Sequence, residues 1–191
     1  MIDAGPSEST LRMLVAQALR DYPDKSLLKL ISDEDRIVRT AAARQLQMNG
    51  GKHVFNEVES SLNDERDFVR EISAFILGQL GTPDRPFKDQ SIPHLKRLLR
   101  DPSNDVRATA VSAIGHLFLS SHDMPSDVSK ELLSNSYDLD ISVRDNAALA
   151  LGSSTGDDVV VSRLNELLSD EDSDVRSSAE LALELLGDRD D

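Results

Sequence analysis

Apolar and small residues recur along this chain at helical spacing, in blocks that are themselves repeated. Val-Arg pairs stand at Val38-Arg39, Val69-Arg70, Val106-Arg107, Val143-Arg144 and Val175-Arg176, at intervals of 31, 37, 37 and 32 residues. Four and eight positions after each Val come a small and an aliphatic residue: Ala42 and Leu46, Ser73 and Leu77, Ala110 and Ile114, Ala147 and Leu151, Ala179 and Leu183. Steps of four residues keep to one face of an α-helix. Five positions before each Val stands an Asp (Asp33, Asp64, Asp101, Asp138, Asp170), and six before that an aliphatic residue (Leu27, Val58, Leu95, Leu132, Leu164). The aliphatic residue belongs to a shorter amphipathic stretch, such as DKSLLKLIS or VVVSRLNELLS. Each unit therefore reads as helix, tight turn, helix. No segment alternates with period two over a useful length, so no sheet is expected.

One such hairpin cannot bury its apolar stripe alone, whereas a stack can. The pattern predicts an all-α solenoid: a single domain over 1–191, with about five hairpins at 24–50, 51–81, 89–119, 126–152 and 157–187. Residues 1–20 are expected to form an N-terminal cap helix with Leu11, Leu14, Val15, Ala18 and Leu19 on one face. Gly50, Gly81, Gly152 and Gly187 follow second helices, where a left-handed C-cap would end them. Two longer linkers, TPDRPFKDQS at 82–91 with an exposed-looking Phe87 and SSHDMPS at 120–126, account for the wider intervals. A fivefold Asp and Arg argue for structure and not chemistry, since no active site is needed five times. The Asp is placed to cap the second helix, and the Arg to reach an Asp of its own or the neighbouring turn.

Asp-x-x-x-x-Val-Arg-x-x-Ala with a following aliphatic-Gly, clearest in DPSNDVRATAVSAIG and DEDSDVRSSAELALELLG, resembles the HEAT-like repeat of phycobilin-lyase-type bacterial proteins. The resemblance covers 24–187 and implies a right-handed α-solenoid with the second helices lining the concave side. RTAAARQLQMNGGKHVF and VREISAFILGQLG further resemble HEAT-repeat proteins encoded beside bacterial Rhs toxin elements. That resemblance implies an immunity protein that neutralises a cognate toxin domain. A scaffold or assembly factor, or a phycobilin-lyase-like small-ligand chaperone, is the alternative.

Charge sharpens the picture. The chain carries 35 acids against 21 bases, and residues 131–191 hold 16 acids and 4 bases, a net of -12. Such a surface repels nucleic-acid backbones and steers toward a basic protein partner, such as a toxin with a basic cleft. It also has the wrong sign for a HEAT-like DNA glycosylase. Absence of Cys excludes thiolate zinc sites, iron–sulfur clusters and a cysteine nucleophile. His53, His94, His116 and His122 share no ligand spacing, and no His-Glu pair of a HEAT-like iron hydroxylase occurs. No metal, cofactor or catalytic residue is expected. No apolar run is long enough to span a membrane, and MIDAGPSESTLRMLV lacks a secretory signal's basic start. A cytoplasmic protein, monomeric when free, is expected.

Several motifs lead nowhere. Gly152-Ser153-Ser154-Thr155-Gly156 spells a nucleophile elbow without the strand that elbow needs. Asp170, Asp172 and Asp174 open like a calcium loop, but Val175 stands where Gly is required. What remains is the side of the second helices opposite the Val stripe, two, six and nine positions after each Val. There Phe75, Leu149 and Leu181 accompany the acids Glu71, Asp145 and Glu184, and these six are the candidate partner-binding residues. Gly78, Gly115 and Gly152, nine positions on, are expected to let a partner approach closely.

Overall fold

A computed structural model describes residues 7–119, 121 and 123–187. The described residues form eleven helices and no strand. His122 and the first six residues of the expected cap helix lie outside them. Two compact units divide the chain between Phe87 and Lys88. The first holds α1 (Glu8–Leu19), α2 (Asp24–Leu30), α3 (Arg36–Asn49), α4 (Lys52–Ser61) and α5 (Asp67–Leu77). The second holds α6 (Lys88–Leu98), α7 (Asn104–Phe118), α8 (Ser126–Asn135), α9 (Ile141–Leu151), α10 (Asp158–Leu167) and α11 (Ser173–Gly187). Within each unit, hairpins α2–α3, α4–α5, α6–α7, α8–α9 and α10–α11 stack through their second helices.

The core follows the repeat. Leu27, Val58, Leu95, Leu132 and Leu164 are fully buried, as are Val69, Val106, Val143 and Val175 within a per cent. A Leu or Val moved from water into such a site contributes about 1.5–3 kcal/mol. In the first hairpin Val38 is only half-buried.

The repeated Asp and Arg build the turns. Each Asp carboxylate accepts the backbone N–H two residues on, at 2.9–3.0 Å. Each Arg Nη1 donates to that Asp's own carbonyl, at 2.8–3.0 Å. The Asp is thus a turn former and not the expected helix cap, because it sits too early in the chain. The caps with side-chain bonds are later residues: Asp35 accepts from Ile37 and Val38, and Asp140 from Val143. In the second unit the guanidinium also grips the next turn. Arg107 pairs with Asp138 at 2.8 and 2.9 Å, and Arg144 with Asp170 at 3.0 and 3.1 Å. These bonds hold the Asp138 and Asp170 carboxyls below the usual carboxylate range. In the first unit Phe68 takes that place, its ring lying 4.5 Å beneath the Arg39 guanidinium. Asp64 is instead gripped from its own turn by Arg66, which lowers its carboxyl to about 2.

Three expectations change. Gly81 adopts φ 74, but Gly50 and Gly152 have φ of -74 and -59 and are not left-handed caps. Phe87 is half-buried and stacks on Phe55 with ring centroids 5.2 Å apart, so the linker is pinned by its aromatic. Helix α1 packs on α3 through buried Leu19 and half-buried Val15, leaving Leu11, Leu14 and Ala18 exposed. Among the described residues no outer helix flanks α1, so half of its apolar stripe has nothing to cover it.

Candidate functional site

The second helices α7, α9 and α11 run side by side because small residues allow it. A Cβ on Gly115 would lie 2.9 Å from Ala150 Cβ and 3.2 Å from its Cα. A Cβ on Gly152 would lie 3.0 Å from Ala182 Cα. The space beside Gly115 and Gly152 is therefore filled by the next helix and gives a partner no access. Gly78, Gly115 and Gly152 are all buried. Sequence spacing could not separate these cases, since a wheel shows a face but not what occupies it. Gln47, at the same position in α3, is buried too and donates through Nε2 to the Phe75 carbonyl at 2.6 Å.

Three positions nearer each Val, the surface opens. On α9 and α11 the residues there are Leu149 and Leu181, 41% and 46% exposed, with half-buried Ser112 on α7. Neighbouring packed helices lie about 8–10 Å apart, so successive side chains form a row. Asp145, a turn before Leu149, is half-buried and accepts a 2.6 Å hydrogen bond from Ser178 Oγ on α11. Asn146 likewise donates to the Ala108 carbonyl at 3.3 Å. These bonds tie the helices and fix the carboxylate's direction. Glu184 lies exposed one turn beyond Leu181.

The structure thus brings Asp145, Leu149, Leu181 and Glu184 onto adjoining helices of the second unit. Glu71 and Phe75 belong to α5 of the first unit, and both are half-buried. Phe75 presents less surface than a residue opposite the core stripe was expected to. No group of His, Asp and Glu able to hold a metal ion occurs among the described residues. No described helix is long and apolar enough to cross a membrane. Sequence reasoning passed over Tyr137, Leu139 and Ile141, three exposed apolar side chains in the α8–α9 turn. Their signal lay in the repeat register, where the other turns carry mostly polar residues.

Comparisons with known proteins agree with this architecture. Residues 24–115 match the model of HEAT repeats. The chain is 30% identical over 169 residues to phycocyanin operon protein Z of Pseudanabaena tenuis, covering 84% of this chain and 78% of that protein. It is 28% identical over 163 residues to protein YibA of Escherichia coli K12, covering 85% of this chain but only 58% of YibA. The X-ray structure of YibA superposes with a TM-score of 0.78 at 25% identity, over 97% of this chain and 65% of that one. The complex of CpcE and CpcF of phycocyanin lyase from Nostoc sp. PCC7120 shares the fold alone. There the TM-score is 0.68 at 20% identity, over 84% of this chain and 97% of the matched one.

Proposed function

The chain belongs to the HEAT-repeat family, and from that premise we propose that it is a non-catalytic binding protein for a basic protein partner, acting as an immunity protein that neutralises a cognate toxin domain. The observation that carries the reading is the row on the second unit. Leu149 and Leu181 stand exposed on helices locked together by glycine contacts, between the acids Asp145 and Glu184. Two apolar anchors on a rigid, acid-flanked surface have the makings of a protein interface core. The acid surplus of residues 131–191 supplies the steering field. Glu71 and Phe75, on α5 of the first unit, are proposed as partner-binding residues of that unit by itself. Toxins that act on nucleic acid present basic clefts to phosphate, and an acidic surface would both attract and block such a cleft. The toxin assignment rests on the likeness of 39–55 and 69–81 to Rhs-associated HEAT proteins.

The test is first whether a toxin domain is encoded beside this gene, whose absence would count against the toxin reading, and then titration calorimetry against that domain. Leu149→Ala and Leu181→Ala should each weaken binding by about 2 kcal/mol or more if they are central anchors. Asp145→Lys and Glu184→Lys should slow association chiefly at low salt. Full affinity in both Leu variants would remove the row from the interface. The relation to phycocyanin operon protein Z favours one second reading, an assembly factor or small-ligand chaperone. In that case protein purified from its own host should carry a stoichiometric pigment in native mass spectrometry.

A further inference from the structure

The five turns joining the hairpin helices are built alike, and one departs from the rest. In the position after the repeated Asp, four turns carry Glu34, Glu65, Pro102 and Glu171, and the fifth carries Leu139. Two positions before that residue, Ser32, Asn63, Arg100 and Ser169 are matched by Tyr137. Two positions after it, Arg36, Asp67, Asn104 and Ser173 are matched by Ile141. All three replacements are apolar, fall in one turn, and point outward: Leu139 is 98% exposed, Tyr137 60% and Ile141 45%.

This turn is not loose. Arg144 donates to the carbonyls of Asp138 and Leu139, Asp138 accepts the Asp140 amide, and Arg107 holds the Asp138 carboxylate. The Arg163 guanidinium lies 3.6 Å over the Tyr137 ring and donates to the Ser136 carbonyl at 2.7 Å. A fully solvated Leu on a rigid frame loses little ordering entropy when it is covered. Acid stands beside it. The Glu171 carboxylate, on a side chain 86% exposed, lies 3.5 Å from the same Arg144 guanidinium that binds the Leu139 carbonyl. Asp172 and Asp174 follow in that neighbouring turn.

The geometry points to the α8–α9 turn as a second docking surface, with Leu139 and Tyr137 as its anchors, for a protein segment that sets an apolar side chain between lysines or arginines. Charge complementarity selects this occupant. A second copy joined turn to turn would set carboxylates against carboxylates, and an anionic membrane would be repelled by them. The inference rests on this turn and stands independently of the inner-helix row.

The test uses fluorescence anisotropy at physiological salt with three labelled peptides: repeated Lys-Leu-Lys-Gly, Lys-Ser-Lys-Gly and Glu-Leu-Glu-Gly. The wild-type chain should bind the first more tightly than the second and not bind the third. The variant Leu139→Glu with Tyr137→Ser installs residues that other turns carry at these positions, so its circular dichroism should be unchanged. Its affinity for the Lys-Leu peptide should fall about tenfold or more. Charge alone would act in the opposite direction, since the variant is more acidic. Unchanged or tighter binding overturns the proposal. So does loss of binding in Leu149→Ala with Leu181→Ala while the turn variant binds normally, which would assign the peptide to the inner row. A wild-type dimer in sedimentation velocity that the turn variant abolishes would also overturn it, in favour of a second copy.

Discussion

Replacing Arg144 with Met tests whether the turn ladder holds the second unit together. Arg144 is 8% exposed, and its guanidinium donates to the Asp138 carbonyl at 3.0 Å, the Leu139 carbonyl at 3.1 Å and the Asp170 carboxylate at 3.0 and 3.1 Å. Methionine keeps most of the aliphatic stem and removes all four bonds. Each carbonyl bond is worth about 1 kcal/mol. Removing one partner of a buried ion pair costs about 3–5 kcal/mol. That penalty is softened here because Asp170 keeps the Asp172 amide at 3.0 Å. The expected net loss is about 3–4 kcal/mol. The assay is urea unfolding followed by circular dichroism, repeated from neutral pH into the acid range. Asp170 is held below the ordinary Asp value of about 3.9, so its contribution is complete above that pH and is lost as pH falls through the lowered native value. The wild-type protein should therefore lose stability below about pH 4, and the variant should lose less, having already forfeited the pair. A cost under about 1 kcal/mol at neutral pH, or an acid limb identical to that of the wild type, would refute the reasoning.

Two further outcomes follow from packing. Gly115→Val should destabilise the second unit by about 1–3 kcal/mol in thermal melts, because its Cβ would press on the Ala150 Cβ at 2.9 Å, and Ala150→Gly should partly restore it. Phe87→Ala should hasten proteolytic cleavage within 82–91, since the Phe55 stack pins that linker.

Much of this molecule could be read from period and register. The Val stripe, the aliphatic residue before each turn and the helix–turn–helix grammar all follow from apolar spacing, which packing must satisfy. The errors share a cause. Gly115 and Gly152 looked like an open floor because a helical wheel fixes direction but not distance, and the neighbouring helix reaches that direction first. Leu11 and Leu14 show the converse: they share a face with Leu19, but among the described residues no outer helix faces that end of the stripe. Of the candidate site, Leu149 and Leu181 were legible as apolar residues off the core face. The bond from Ser178 that orients Asp145 was not, because it joins residues 33 apart in the chain. Leu139 could have been found by aligning the turns instead of the helices.

The ladder also bears on how a disturbance travels. Arg144 shapes the turn that presents Asp138, and Asp138 in turn steadies Arg107. Arg176 does the same for the turn that presents Asp170 to Arg144. The Arg144 guanidinium is thus both the support of one carboxylate and the client of another. The dependence runs both ways, since Arg107 and Arg144 also hold the Asp138 and Asp170 carboxylates in place. A lesion at Arg144 should therefore disturb both the turn it belongs to, at Asp138, and the turn it grips, at Asp170. The edge of the second unit behaves as a chain of coupled links, and a partner clamped on its last turn would stiffen the turns before it through the same pairs.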